Sequence, residues 1–238
     1  MFRHKLTGPN TDVTVGNASA ILSVNTYPEF ERFYDLKGES ETLSDLLSET
    51  SERNVFYDIG ANVGLYSCLV GASASDCDVY SFEPHPTNVE ALRRNLELNN
   101  INANIFQLAL SDEEGTVKLS SKGSESGLGE HSLDTTESES TIPVTVRQLD
   151  EVRSEHNLPV PTVVKIDVEG AELNVIRGAK KVLSDTECEI IYCEFHPEKI
   201  KSFGGTYDEI QDELNDLGFN LTVLDQNMGG RIMIKATK

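Results

Sequence analysis

The chain has 238 residues, 38% of them hydrophobic and none of them tryptophan, a size that suits an α/β domain with a full core. Its 40 acidic residues against 20 basic ones leave a net charge of −20, a field that repels nucleic-acid phosphates and anionic membranes, so neither is an expected partner. Dense carboxylates stay hydrated while salt screens their repulsion, and the surface reads as one adapted to a salty, halophilic cytoplasm.

Residues 1 to about 50 read as a leader with scattered apolar anchors (Ile21, Val24, Phe30, Phe33, Tyr34, Leu43, Leu46, Leu47). The last three recur at helical spacing, so a helix is expected just before the first core strand. The basic start Met1-Phe2-Arg3-His4-Lys5 is followed by no apolar run, so no signal peptide is expected. The remaining residues, 51 to 238, read as the main domain.

Val55 to Ile59 is a short buried strand that runs into Gly60-Ala61-Asn62-Val63-Gly64 and then a helix. The longest apolar-looking stretch, Ile59 to Ala74, is too short to span a bilayer, and stable membrane insertion is not expected. Asp78 to Phe82 forms a second strand that ends at Glu83. A glycine turn on one strand tip and a carboxylate on the next suit a nucleoside with a free ribose. The glycines are spaced GxxxG rather than GxGxxG, one backbone approach short of a pyrophosphate cradle. S-adenosylmethionine, which has no phosphate, therefore fits better than NAD. Asp58 can meet its ammonium, the turn amides its carboxylate, and Asn62 adds a hydrogen bond. Glu83 can accept from the ribose hydroxyls, with Pro84 and Pro86 stiffening the turn around it.

Pro86 to Asn100 reads as a helix entered through proline. Ile105 to Leu110 reads as the third strand, whose end offers Ala109 as space for an adenine ring and Ser111 as a bond to its edge. Thr116 to Leu119 is a short strand. Residues 120 to 141 are nearly all Ser, Glu, Thr and Gly and read as a mobile acidic loop or a lid. Order is expected again over Ile142 to Val146, then a helix over Leu149 to His156.

Thr162 to Ile166 is a β-branched strand ending at Asp167, followed by Glu169 and Glu172 around Gly170. Their readings are orientation of a substrate hydroxyl, general base, or a divalent-metal site; a divalent metal is possible but no spacing rule indicates one. Glu172 reads first as negative charge favourably placed at a helix start. Ala171 to Leu183 is a helix, and Glu189 to Phe195 a strand that delivers Glu194 and His196. His196 is a candidate base because an unperturbed imidazole titrates near neutrality. Thr206-Tyr207-Asp208-Glu209 spells a capping box, and Asn227-Met228-Gly229-Gly230 a hairpin between Phe219–Leu224 and Arg231–Ile234. Cys68, Cys77, Cys188 and Cys193 form neither a CxxC pair nor zinc-ligand spacing, and read as buried free thiols in a reducing cytoplasm.

Phe56 to Gly64, Phe82-Glu83-Pro84, Leu108 to Ser111 and Lys165-Ile166-Asp167-Val168-Glu169-Gly170-Ala171-Glu172 together resemble the FkbM family of S-adenosylmethionine-dependent methyltransferases, in order, over about Asn54 to Glu198. The resemblance implies an α/β, doubly wound, Rossmann-like class I methyltransferase sheet whose last strands form an antiparallel hairpin. It implies O-methylation of a hydroxyl on a sugar, glycan or related small molecule. Asp58, Gly60, Asn62, Gly64 and Glu83 would hold the cofactor; Asp167 and its neighbours would face the acceptor. The alternatives are an NAD-linked oxidoreductase, which needs a GxGxxG turn the chain lacks, and a non-catalytic cofactor- or glycan-binding module. Oligomeric state leaves no mark in the sequence.

Overall fold

The computed structural model describes residues 3–7, 9–51, 55–120, 141–228 and 230–238, so residues 121–140 of the expected acidic loop lie outside the described residues. Its residues cluster into two compact units, one ending at Gln107 and the other beginning at Leu108. Among the described residues, no helix is long and apolar enough to cross a membrane.

The first unit opens with a sheet that the sequence reading missed: β1 (Arg3–Thr7), β2 (Asn10–Val15) and β3 (Ala18–Ser23), paired antiparallel in that order. The buried positions do alternate, Thr11, Val13 and Val15 on β2 and Ala18, Ala20 and Leu22 on β3. Thr11 is polar and Ala18 and Ala20 are small, so only Val13, Val15 and Leu22 mark the period-two pattern for a hydrophobicity reading. Next come α1 (Tyr27–Asp35), a 3-10 turn over Leu36–Gly38, and α2 (Ser40–Thr50), the helix expected before the core. Then β4 (Val55–Ile59), α3 (Leu65–Ser73), β5 (Asp78–Phe82), α4 (Pro86–Leu98) and β6 (Asn104–Phe106) complete the unit. β4, β5 and β6 pair in parallel, and β4 is buried at every position. Asparagines on α4 stitch the first sheet to this layer. Asn99 accepts from Ile21 N and donates to Ile21 O, both at 2.7 Å, as a neighbouring strand would. Asn95 accepts from Ser23 N at 2.9 Å and donates to Val63 O, in the glycine turn, at 2.8 Å.

The second unit runs β7 (Ala109–Leu110), β8 (Gly115–Ser120), β9 (Thr141–Arg147), α5 (Leu149–His156), β10 (Val163–Ile166), α6 (Glu172–Gly178), α7 (Lys180–Ser184), β11 (Ile190–Phe195), α8 (Pro197–Ile200), α9 (Tyr207–Asp216), β12 (Asn220–Met228) and β13 (Arg231–Thr237). β10 and β11 are parallel, while β13 turns back antiparallel on β11 and pairs with β12, forming the expected hairpin.

Three expectations need correction. The strand read over Ile105 to Leu110 is two strands in different sheets, because β6 pairs with β5 whereas Ala109 and Leu110 pair with Val146 and Arg147 of β9. The helix read over Ala171 to Leu183 breaks after Gly178, where a Cβ would stand 1.9 Å from the Ser111 carbonyl oxygen; backbone contact replaces a side chain there. At Thr206 only half of the capping box forms. Its Oγ1 accepts from Glu209 N at 3.3 Å, but the Glu209 carboxylate takes the Thr206 hydroxyl instead of a main-chain amide. The reciprocal box sits on α1 instead, between Thr26 and Glu29.

All four cysteines are free and buried, and burial pushes Cys77 and Cys188 up to about 12. Gly64 is the position where both backbone and space demand glycine: φ is 86°, and a Cβ would lie 2.3 Å from Leu92 Cδ1 on α4. Gly64→Ala is expected to lower unfolding free energy by roughly 2–4 kcal/mol, from left-handed strain plus overpacking. Urea unfolding with an unchanged m-value would check it; a loss under about 0.5 kcal/mol would show that α4 yields freely.

Candidate active site

In the first unit the glycine turn is held from both sides. Gly60 N and Ala61 N donate to Phe82 O at the tip of β5, at 2.9 and 3.1 Å. Glu83, only 5% exposed, then reaches back: its Oε2 accepts from Asn62 N at 2.9 Å, and its Oε1 from His85 N at 2.9 Å and Asn88 Nδ2 at 3.2 Å. Burial pushes the Glu83 carboxyl up from its ordinary range, the three donors pull it down, and the charge of Asp58 adds to the rise. Gly60, Asn62 and Gly64 all take positive φ, at 77°, 51° and 86°, so the turn is left-handed at three of its five residues. Asp58 is fully buried at the foot of this turn. Its Oδ2 accepts from Ser67 N at 3.1 Å and Ser67 Oγ at 2.6 Å, which fixes the first turn of α3. Pro84 follows Glu83, and His85 closes the corner as the residue before α4.

In the second unit the loops after β10 and β11 gather acids and bases. Lys165, 3% exposed, donates to Asp167 Oδ2 at 3.3 Å. His196 has its Nδ1 3.1 Å from Glu172 Oε1, and its Nε2 lies 3.1 Å from Glu169 Oε2 and 3.5 Å from Glu194 Oε1. Lys199 donates to Glu169, and Arg231 to Glu194 at 2.5 Å. Glu169 stands in the left-handed region at φ 58°, a conformation that a non-glycine residue keeps only when its surroundings enforce it. Gly170 follows at φ 114°, where a Cβ would lie 2.8 Å from Lys199 Cβ. Asp167, Glu169, Glu194 and His196 are thus brought together as expected.

Two differences from the sequence reading stand out. Burial would lower the His196 pKa, but the Glu172 hydrogen bond and the charges of Glu169 and Asp167 outweigh it and raise the pKa to about 9. His196 is therefore an imidazolium at neutral pH, not a free base. Glu172 stands in the first turn of α6, as expected, but it is also fully buried, accepts from Gly170 N at 2.8 Å and orients the histidine. The signal that could have found it is the Glu-Gly-Ala-Glu spacing, which returns the second carboxylate under the glycine. Ala109 and Ser111 also belong to this unit. Ser111 N donates to Arg147 O, and its hydroxyl donates to Asp112 Oδ1 at 3.1 Å, so it would have to turn to meet an adenine edge.

A family profile described as the methyltransferase FkbM domain matches residues 58–221, more than half the chain. The chain belongs to the FkbM methyltransferase family. Among its relatives, the hexuronic acid methyltransferase AglP of Haloferax volcanii is 29% identical over 177 residues, covering 74% of this chain and 71% of that one. The 2-O-methyltransferase NoeI of Sinorhizobium fredii is 26% identical, covering 61% and 65%. The FkbM methyltransferase structure from Methylobacillus flagellatus aligns with a TM-score of 0.51 at 12% identity, over 90% of this chain and 55% of that chain. The Methanococcus jannaschii fibrillarin structure aligns at 0.54 and 10% identity, over 100% and 97%. The fold is the Rossmann-like one of class I methyltransferases, and the protein is an S-adenosylmethionine-dependent methyltransferase. The NAD-linked alternative falls with that assignment.

The first unit's residues suit that cofactor. Three protein donors occupy Glu83, and a carboxylate has about four lone-pair directions, so room remains for a ribose hydroxyl. A metal is a different matter. Asp167, Glu169 and His196 offer three ligand atoms within 4.8 Å of one another. A divalent cation held there would have to displace the His196 proton and draw Glu169 away from Lys199.

A group whose pKa is raised by folding contributes stability that is full below its unfolded value near 6.5 and is lost as pH climbs through about 9. The unfolding temperature should therefore fall more steeply between pH 6.5 and 9 in the natural protein than in His196→Gln. Glu172→Gln should move the imidazole titration, followed by NMR, toward its ordinary value; an unmoved titration would remove Glu172 as the source of the shift.

Proposed function

We propose that this methyltransferase delivers the methyl group to an oxygen of a saccharide acceptor, with the first unit's turn holding the cofactor and the second unit's acid–base group handling the acceptor. The observation that carries the reading is the set of half-buried Asp167 and Glu169 with buried Glu194 and His196, fixed by Lys165, Glu172, Lys199 and Arg231. S-adenosylmethionine, when bound, supplies an electrophilic methyl group on a sulfonium. Asp58, Gly60, Asn62, Gly64, Glu83 and Pro84 shape its place: Glu83 accepts from the ribose, and the turn amides and Asp58 meet the amino-acid end.

For a hydroxyl acceptor, Asp167 takes the proton as the new bond forms, with Glu169 beside it, whose carboxyl burial and the Asp167 charge push up from its ordinary range. The His196 imidazolium, held by Glu172, offers a charge-assisted donor that orients the acceptor oxygen. Alignment of acceptor and methyl supplies much of the acceleration. A uronic acid is the second reading, favoured by the named activity of the Haloferax relative. Its carboxylate is already deprotonated, so methylation to an ester would need the imidazolium but no base.

Labelled methyl transfer to oligosaccharides with and without a uronic acid tests the class, and loss of label on mild alkali separates ester from ether. Label going to neither would sink the saccharide reading. Glu83→Ala should weaken S-adenosylhomocysteine binding about 10–100-fold by calorimetry, the worth of a charged hydrogen bond. Asp167→Asn should cut turnover with a hydroxyl acceptor by roughly 10²–10⁴ while sparing cofactor affinity. Chelation by EDTA should leave the rate unchanged.

A further inference from the structure

Arg32, in the last turn of α1, is only 8% exposed, and its Nε is sealed from solvent with no acceptor. Among the described residues no carboxylate, carbonyl or ring is recorded against its guanidinium. Arg147, Arg177 and Arg231 each meet a carboxylate within 3.2 Å and Arg94 donates its Nε to Ser23 Oγ, while Arg153 shares with Arg32 a buried Nε that has no acceptor but is as a whole only half-buried. A chain with 40 acidic residues has no shortage of partners. Burying the Nε donor without an acceptor is unfavourable, because it loses water and gains nothing in return.

The surroundings place this arginine on an anchored segment. Leu36, one turn on, accepts from Glu39 N at 2.7 Å, and the buried Glu39 accepts from the Tyr66 hydroxyl at 2.9 Å. Tyr66 lies in the first turn of α3, two residues past Gly64. The α1–α2 segment is thereby tied to the helix that leaves the cofactor turn, within the same unit.

We propose that Arg32 is an anion-binding residue that takes a ligand carboxylate. A planar guanidinium matches a carboxylate through two parallel hydrogen bonds, and its charge is weakly enough hydrated to sit in a nearly closed site. The carboxylate has two sources under the function proposed above, on which this inference rests: the amino-acid end of the cofactor, or a uronic acid of the acceptor. The bland alternative is that Arg32 packs its aliphatic stem and leaves the head to water. That alternative predicts a loss of stability on substitution and no ligand effect.

The test is calorimetric titration of the natural protein and Arg32→Gln with S-adenosylhomocysteine, with 5′-methylthioadenosine, which keeps the nucleoside but lacks the carboxylate, and with glucuronate in the presence of S-adenosylhomocysteine. Loss of about tenfold or more for S-adenosylhomocysteine, with methylthioadenosine unchanged, supports the proposal and assigns the cofactor as the source. Loss confined to glucuronate supports it and assigns the acceptor. Arg32→Lys should recover part of the lost affinity, and the unfolding temperature of Arg32→Gln should hold or rise, since no native partner is removed. Unchanged affinity for both carboxylates, equal loss for methylthioadenosine, or a fall of several degrees in unfolding temperature overturns the proposal. If the natural protein binds neither adenosyl ligand, the cofactor reading fails separately and Arg32 stands or falls on glucuronate; binding of none of the three ends both.

Discussion

The buried carboxylate of Glu83 is the interaction on which the first unit's site depends. Gly60 and Ala61 lean on the tip of β5 through main-chain bonds, but the next residue, Asn62, turns its amide inward in a left-handed conformation. Only an acceptor arriving from β5 itself can satisfy that amide, and Glu83 does so while its other oxygen gathers His85 and Asn88 at the start of α4. One side chain thus joins two strand tips and a helix. Removing it would leave a buried amide unpaired, so the group proposed to meet the ribose is also the one that keeps the turn in place. Asp58 works the same way one layer down, on Ser67 and the start of α3.

The second unit follows a different rule. Four carboxylates, Asp167, Glu169, Glu172 and Glu194, stand among four basic groups, Lys165, His196, Lys199 and Arg231. Burial of so many charges is tolerable only because each acid faces a base with hydrogen-bonding geometry. Neutrality of the whole has a chemical consequence: no single carboxylate dominates, and an arriving polar oxygen can exchange one partner for another with little reorganisation. The left-handed Glu169 is the strained member, of order 1–3 kcal/mol, held where Lys199 and the flexible backbone of Gly170 enforce it.

Much of this was legible in the residues. The strand tips at Asp58, Glu83, Asp167 and Glu194 follow from apolar runs that stop at a carboxylate, and α5, α9 and the terminal hairpin fall where periodicity and turn residues put them. What escaped the reading is pairing rather than propensity. Nothing local says that Phe106 and Ala109 join different sheets, since an apolar run carries no record of its neighbours. Nothing local says that Thr11 and Ala20 are core, because their burial is decided by α3 and α4 packing on β3. The protonation of His196 escaped for the same reason: it rests on Glu172, Glu169 and Asp167, and proximity in sequence does not reveal their approach to one ring.

The net charge of −20 bears on acceptor choice through distance. Over a Debye length of about 8 Å at ordinary ionic strength, such a surface repels an anionic sugar before any specific contact forms; at about 3 Å in molar salt that barrier is confined to the first hydration shell. Buried cations are screened far less, because salt ions do not enter beside them. Salt therefore removes the long-range repulsion and leaves His196 and Arg32 nearly at full strength, so a protein this acidic can still select a carboxylate. For the anionic acceptor proposed above, the acidic exterior would set how often the anion arrives and a buried cation which one stays.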